Sequence, residues 1–216
     1  MAIGDIIVGI DIGTSKVSLV IGEVNNFNQI EVICTTTHKC NGIRKGKIVD
    51  ENEIASSIHH LIKDAESETD LKINSAYVTI PGKYVTIVKN SVVKEAKDKY
   101  AGISAKDVVS SIMQVKDIDI PEGKQIIDIV ENQFVLENGR TVSDPVGNLS
   151  GSFTLKAEVI LADREYMKQI ASIFRKVDLD IDGLVPITLA QRSLALDANE
   201  LNAIGHWCRK YRNRRI

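Results

Sequence analysis

A strand–turn–strand pattern near the start of the chain restricts the fold more than any other feature. Two runs rich in apolar and β-branched residues, Ile6–Ile10 and Lys16–Val24, flank the short polar segment Asp11–Ser15. Runs of this composition form β-strands, and so few residues between them allow only a tight hairpin. A third run, Ile30–Thr37, adds another strand. The sequence therefore predicts a three-stranded beginning, with Asp11 where the first strand ends.

The turn itself has the composition of a phosphate site. Gly13 lets a phosphate come close to the backbone, and the amides that follow can form a concave anion site. Thr14 and Ser15 add hydroxyl donors, and the Asp11 carboxylate suits a hydrated Mg²⁺ ion, which prefers oxygen ligands. Neither of the common glycine-rich phosphate motifs is present. A plain hairpin turn therefore remains the alternative to a phosphate loop.

The next segment predicts a helix followed by a strand. Asp50 and Glu53 have the spacing of a capping box, which marks a helix start. The apolar residues that follow recur at helical spacing, and they are Ile54, Ile58, Leu61, Ile62 and Ala65. The run from Ala76 to Ile80 then returns to a strand pattern that Pro81 and Gly82 end.

The second half of the chain alternates strands with single helices. Strands are predicted at Val85–Val93, Gln125–Leu136, Phe153–Leu161 and Asp178–Val185. A helix capped by Ser104 and Asp107 carries the predicted apolar positions Val108, Val109, Ile112 and Val115. A further helix from Asp163 carries Tyr166, Ile170, Ile173, Phe174 and Val177, and a last one covers Thr188–Leu196. One helix among long strands makes the middle of the chain a small α+β insert.

Composition excludes several classes of protein. Of the 216 residues, 44% are hydrophobic and 26% charged, which is ordinary for a globular protein. No apolar stretch approaches the about 18 residues of a membrane span. The three cysteines and four histidines lack the spacing of a metal site. We therefore expect a globular protein without a metal cluster or a membrane-spanning helix.

Several segments carry a resemblance to one family. Ile7–Val24 resembles the first phosphate motif of the actin, sugar-kinase and heat-shock-protein superfamily. Asn41–Asp50 is similar to the Gly-Ile-x-x-Gly-x-Ile-x-Asp segment of the FtsA family, and Asp144–Gly147 matches its Asp-Pro-x-Gly loop. Pro186–Leu194, with Glu200 and Leu201 after it, resembles the segment that leads to the second phosphate motif of that family. These motifs are collinear over about residues 5–201, so the chain resembles the N-terminal part of FtsA, a bacterial cell-division ATPase.

The resemblance implies a fold and its domains. It implies an α/β, actin-like (ribonuclease H-like) subdomain made of residues 1–83 with 162–197. It implies that residues 84–161 form an inserted α+β subdomain of the SHS2 type, used by the family in contacts between protomers. Residues 198–216 match nothing in the family and are expected to form an atypical, disordered basic tail.

The resemblance also implies a function. FtsA proteins bind ATP, polymerise and link FtsZ filaments to the inner face of the cytoplasmic membrane at the division septum. By matching positions, Asp11, Gly13, Thr14, Ser15 and Lys16 are implied to bind the nucleotide phosphates, and Asp11 also Mg²⁺ through water. No residue is assigned a catalytic role.

This sequence departs from the family in ways that limit the expectation. It has no second loop of the form Asp-x-Gly-x-Gly-x-Thr, no adenosine-binding glycines and no amphipathic membrane-binding helix. We therefore expect weak, one-sided binding of ATP and Mg²⁺ with little or no hydrolysis. A sugar-kinase-like phosphotransferase fragment, a pilus-assembly relative of FtsA and a nonfunctional fragment remain the alternatives.

The last residues change in character. Five of the 27 basic residues lie in the last eight, close to Trp207 and Tyr211. Such a segment could bind nucleic acid by charge and stacking, or lie on a membrane surface. The acidic balance of the preceding chain disfavours anionic partners, so no nucleic acid is expected. A shifted reading frame that ends in an unselected tail is the favoured interpretation.

Overall fold

A computed structural model describes residues 3–98 and 100–190 of the chain. These ranges contain eleven strands and three complete α-helices, with one turn of 3₁₀ helix at Gly82–Tyr84. In chain order they are β1 (Ile6–Ile12), β2 (Lys16–Val24), β3 (Ile30–Lys39), β4 (Ile43–Arg44), β5 (Lys47–Ile48), α1 (Glu51–Thr69), β6 (Ser75–Ile80), β7 (Val85–Glu95), α2 (Ala105–Val115), β8 (Lys124–Leu136), β9 (Thr141–Val142), β10 (Ser152–Asp163), α3 (Arg164–Lys176) and β11 (Asp180–Pro186).

These elements form two compact units. Within the described ranges, the first unit contains the chain up to Tyr84 and resumes at Arg164. The second unit, called the inserted unit below, runs from Val85 to Asp163. Each unit has its own sheet, so each is described separately.

The first unit is built on a five-stranded sheet in the order β11-β6-β1-β2-β3. β1, β2 and β3 pair antiparallel, as the sequence predicts, while β6 lies parallel to both β1 and β11. Side chains alternate between faces along β1, so that Val8, Ile10 and Ile12 are buried and Asp11 lies on the opposite face. β1 continues through Asp11 to Ile12, two residues beyond the predicted strand end.

Two helices supply the rest of the core of the first unit. The predicted apolar face of α1 is buried along its whole length, and the four predicted residues of α3 from Tyr166 to Phe174 are buried as well. The fifth predicted residue, Val177, lies beyond the end of α3. Asp178 has a positive φ of 54° and the Leu179 amide donates to the Phe174 carbonyl, so the chain leaves the helix at this point.

The segment between β3 and α1 forms a small, fixed hairpin. β4 and β5 are joined by Lys45 and Gly46, both with positive φ, as a tight two-residue turn requires. The Gly42 carbonyl accepts bonds from the amides of Val49 and Asp50. A Cβ on Gly42 would lie 2.6 Å from the Asp50 carbonyl oxygen, so this position has no room for a side chain. In the segment that resembles the FtsA motif, Gly42 is thus required by lack of space and Gly46 by its positive φ.

The start of α1 differs in part from the prediction. Asp50 is the N-cap, and its carboxylate accepts from the amides of Asn52 and Glu53 at 2.9 and 3.0 Å. The reciprocal half of the predicted capping box is wrong, because the Glu53 carboxylate accepts from the Asn41 amide at 2.6 Å instead. Glu53 therefore ties the helix to the preceding hairpin.

The inserted unit is a four-stranded antiparallel sheet in the order β7-β10-β8-β9, with α2 packed on one face. Phe153 lies opposite Leu136, and Leu155 opposite Phe134, and all four side chains are buried. Buried residues thus alternate with less buried ones along these parts of β8 and β10. The connection after β8 contains one short strand, β9.

Helix α2 begins with the predicted cap. The Ser104 hydroxyl and the Asp107 side chain bond reciprocally to each other's backbone amides, which is a complete capping box. Val115 is fully buried, and Val108 and Ile112 pack against the core. Val109 was predicted on the same face but is 53% exposed, because it lies on the outward side of the helix.

Some predictions lie outside the described residues. Residues 187–190 are helical, and the rest of the predicted helix to Leu196 is beyond the described range. The atypical basic tail, residues 198–216, also lies outside it. Within residues 3–98 and 100–190, no helix has the length and apolar character needed to cross a bilayer.

Removing the hydroxyl of Ser104 tests the cap of α2 and its dependence on pH. Hydrogen bonds from the Ser104 side chain and backbone hold the pKa of Asp107 below its ordinary value of 3.8. The ionised form is therefore stabilised by folding, and this contribution is present above about pH 4 and lost as the pH falls through the folded pKa. Ser104→Ala should lower the free energy of unfolding by about 1 kcal/mol at pH 7 and by less at pH 3.

Urea denaturation followed by circular dichroism at both pH values measures this difference. Ser143→Ala is the control, because the exposed Ser143 side chain makes no hydrogen bond with the described residues, and it should change neither value. An equal loss for Ser104→Ala at pH 7 and pH 3 would contradict the role of the ionised carboxylate.

Candidate functional site

The turn between β1 and β2 has a fixed backbone and exposed side chains. The Gly13 amide donates to the Lys16 carbonyl at 2.9 Å, which closes the hairpin. The Cys40 amide, just beyond β3, donates to the Ser15 carbonyl at 3.1 Å. Thr14, Ser15 and Lys16 are all exposed. The turn is thus held from both sides through its backbone, while its three polar side chains face solvent.

Gly13 is required by space rather than by a positive φ. A Cβ built on Gly13 would lie 2.9 Å from the Lys16 carbonyl oxygen, which is closer than real Cβ contacts. That oxygen belongs to the backbone of the hairpin and cannot move without opening it. The missing side chain therefore lets the Lys16 carbonyl lie close against the turn, and the Asp11 Oδ2 would be 3.8 Å from such a Cβ.

Asp11 is half-buried and has a defined partner in the next strand. Its Oδ1 accepts a hydrogen bond of 2.5 Å from the Thr79 hydroxyl. The register of the parallel pair β1 and β6 aligns Ile10 with Val78, so the two following residues lie side by side on the same face. The carboxylate is thereby fixed at the carboxyl ends of two neighbouring strands, the edge at which ligands bind in open α/β sheets.

A pair of stacked tyrosines adjoins this carboxylate. The rings of Tyr84 and Tyr166 lie 3.9 Å apart at an interplanar angle of 14°, and the Tyr84 hydroxyl donates to the Gly46 carbonyl at 2.9 Å. Burial raises the pKa of Tyr166, and the nearby Tyr84 and Asp11 groups raise it further, so Tyr166 keeps its proton. A neutral ring system therefore borders Asp11 on this side.

The sequence-predicted residues lie on one turn, and the structure adds neighbours that sequence reasoning missed. Asp11, Gly13, Thr14, Ser15 and Lys16 lie within one strand end and the turn after it. Thr79 could be found from the sequence, because a polar residue near the end of a predicted core strand is a recognisable signal. Tyr166 was predicted only as a core residue, and no sequence signal connects it with Asp11.

The arrangement fits a phosphate and a hydrated divalent cation. The turn exposes the hydroxyls of Thr14 and Ser15 and the ammonium of Lys16, which are groups that can donate to an oxyanion. Asp11 offers one oxygen that is not used by Thr79, which suits a cation held through water. Among the described residues there is no group of three or more His, Cys, Asp or Glu that could hold a metal directly. The assignment of these residues to a nucleotide remains a prediction.

Comparisons with known proteins agree with the resemblance noted in the sequence. A family model described as the SHS2 domain inserted in FtsA matches residues 82–161. The cell division protein FtsA of Pseudomonas aeruginosa is 26% identical over 91% of this chain, and that of Bacillus subtilis 23% identical over 92%. The chain is FtsA-like. It spans about half the length of these relatives, 47% and 45% respectively.

A solved structure supports the fold independently. A chain of the PilM–PilN type IV pilus biogenesis complex superimposes with a TM-score of 0.55 at 14% identity, over 85% of this chain and 48% of the other. At this identity the likeness concerns the fold alone. The FtsA-like chain thus has the actin-like α/β fold with an inserted SHS2-type unit, which confirms the predicted fold class and the predicted family resemblance.

Substituting Gly13 tests whether the turn has space for a side chain. Gly13→Ala places a methyl group against the Lys16 carbonyl and should cost about 1–3 kcal/mol of folding free energy. Gly9→Ala, on the strand β1 that leads into the turn, is the matched control, since a Cβ there meets nothing within 4 Å. Urea denaturation of both variants measures the difference, and equal stabilities would show that the turn can relax.

Proposed function

We propose that this chain is an ATP-binding cell-division protein of the FtsA type, and that the β1–β2 turn binds the phosphates of the nucleotide. The observation that carries the proposal is the Asp11 carboxylate, fixed by Thr79 beside a turn that has no room for a side chain at Gly13. The similarity to FtsA over about nine-tenths of the chain supports the choice of nucleotide.

Each residue of the turn has a role in this proposal. The amides after Gly13 and the hydroxyls of Thr14 and Ser15 donate to phosphate oxygens, and the Lys16 ammonium neutralises part of their charge. Asp11 holds Mg²⁺ through the water molecules of the ion, which a hard cation of this size keeps. When bound, Mg²⁺ would supply the positive charge that offsets the phosphates.

A single phosphate turn limits how tightly these 216 residues can bind ATP. They contain one phosphate turn and no second Asp-x-Gly-x-Gly-x-Thr loop, so they provide contacts to one side of the phosphates. Affinity depends on enclosing the ligand, and pockets of tight sites cover most of its surface. Binding by this chain should therefore be weak, and no residue in it is assigned to activate the attacking water.

Isothermal titration with ATP and Mg²⁺ tests the site. We expect a dissociation constant weaker than micromolar and no measurable hydrolysis. Asp11→Ala should reduce the gain in affinity that Mg²⁺ provides, because it removes the carboxylate that faces the ion. Asp64→Ala, which removes an exposed carboxylate from α1, is the control and should leave that gain unchanged.

Two outcomes would contradict this part of the proposal. A micromolar or tighter constant for the 216-residue chain would contradict a one-sided site. A Mg²⁺ effect that survives Asp11→Ala would contradict the role of that carboxylate, even where the nucleotide binds.

We also propose the partners that the FtsA likeness implies, namely FtsZ filaments and further copies of the chain, at the cytoplasmic face of the membrane where division occurs.

One feature of the inserted unit favours contact with another copy. Tyr100, Val146 and Leu149 are exposed apolar side chains on two neighbouring loops. Two backbone bonds, from Gly147 to the Ile103 carbonyl and from Ile103 to the Asn148 carbonyl, fix these loops to each other. Clustered apolar groups on a fixed surface are typical of protein contacts.

A pilus-assembly role is the second candidate, and the fold likeness to the PilM–PilN complex favours it. Sedimentation with FtsZ filaments separates the two functions. We expect the chain to sediment with assembled FtsZ and to stay in the supernatant with unassembled FtsZ. Failure to sediment with filaments at any nucleotide concentration, combined with binding to a PilN-type peptide, would favour the second candidate.

A further inference from the structure

The two oxygens of the Asp11 carboxylate have different surroundings. Oδ1 accepts the 2.5 Å hydrogen bond from Thr79, on the neighbouring strand β6. Oδ2 is the carboxylate oxygen nearest Gly13, 3.8 Å from the point where a Cβ on that residue would lie. One oxygen is therefore used to fix the side chain, and the other is directed towards the turn.

We propose that Thr79 is a positioning residue, which holds the Asp11 carboxylate so that Oδ2 faces a Mg²⁺–nucleotide on the β1–β2 turn. This inference rests on the proposed function for its ligand, although the positioning itself concerns the protein alone. Thr79 would not touch the nucleotide, and it would act through the orientation of Asp11.

Thr79 is well suited to fix a direction. Its two sequence neighbours, Val78 and Ile80, are fully buried, and β6 is paired on both sides, to β1 and to β11. The backbone at Thr79 is therefore held by a strand on each side. A threonine side chain is also β-branched, which restricts its χ1 angle and thus the direction of its hydroxyl.

The hydrogen bond also restricts how the Asp11 side chain can turn. The neighbouring Tyr166 stays neutral, because burial and the nearby Asp11 charge raise the pKa of its hydroxyl. A carboxylate without the Thr79 bond would be free to rotate among its staggered χ1 positions.

Two substitutions separate the hydroxyl from the shape of the side chain. Thr79→Val keeps the branched shape and removes the donor, whereas Thr79→Ser keeps the donor and removes the methyl group. The first measurement uses the 216-residue chain without nucleotide. Three-bond couplings between the α and β protons of Asp11, measured by NMR, report whether one χ1 angle is populated.

We expect a single Asp11 χ1 angle in the unsubstituted chain and in Thr79→Ser, and averaged couplings in Thr79→Val. The second measurement is the affinity for ATP with Mg²⁺ and with EDTA. Thr79→Val should reduce the ratio of these affinities by about three- to tenfold, the net effect of losing one hydrogen bond of ordinary strength, and should leave the EDTA value unchanged. Thr79→Ser should retain most of the ratio.

Each result has a definite meaning. Unchanged couplings in Thr79→Val would overturn the positioning role, whatever the nucleotide does. Averaged couplings with an unchanged Mg²⁺ ratio would show that the orientation of Asp11 does not matter for the ion, which also overturns the proposal. Absence of ATP binding by the unsubstituted chain would count against the proposed function, and the couplings would still decide whether Thr79 positions Asp11.

Discussion

The alternation of side chains along β1 is the constraint on which both the core and the candidate site depend. Ile10 and Ile12 are almost completely buried on one face of the sheet, so Asp11 between them must lie on the other face. A shift of one residue in the pairing would bury the carboxylate and expose the isoleucines. The hydrophobic residues that fold the strand therefore also determine where the charged group stands.

The same register brings Asp11 its partner. Because β1 and β6 are parallel and Ile10 is aligned with Val78, Thr79 occupies the neighbouring position on the same face as Asp11. A half-buried carboxylate without a hydrogen-bond donor would lose free energy on folding, and the Thr79 hydroxyl offsets part of that loss. Core packing and the orientation of the carboxylate are thus consequences of one strand pairing.

Local features of this structure could be predicted from the sequence, because they depend on periodicity and on neighbouring residues. Examples of such predictable features are the buried face of α1, the cap at Ser104, and the inward positions of Phe134 and Phe153. Contacts between distant segments could not be predicted, since a pattern shows which residues share a face but not what lies opposite. Thr79 is 68 residues from Asp11, and Glu53 bonds an amide 12 residues before it rather than the cap next to it. The exposure of Val109 has the same origin, because the helical pattern does not show that its side of α2 faces away from the sheet.

The stacked Tyr84 and Tyr166 lie at the two points where the inserted unit interrupts the chain of the first unit. Tyr84 is the last residue before the inserted unit, and Tyr166 lies in the first turn of α3, immediately after the chain returns. Their stacking adds to the pairing of Val85 with Ala162, which already brings the two ends of the interruption together. Bringing the ends of a long segment together costs conformational entropy, and an aromatic contact offsets part of that cost. Because the Asp11 charge is close enough to raise the pKa of Tyr166, this contact also lies near the carboxylate at the strand ends.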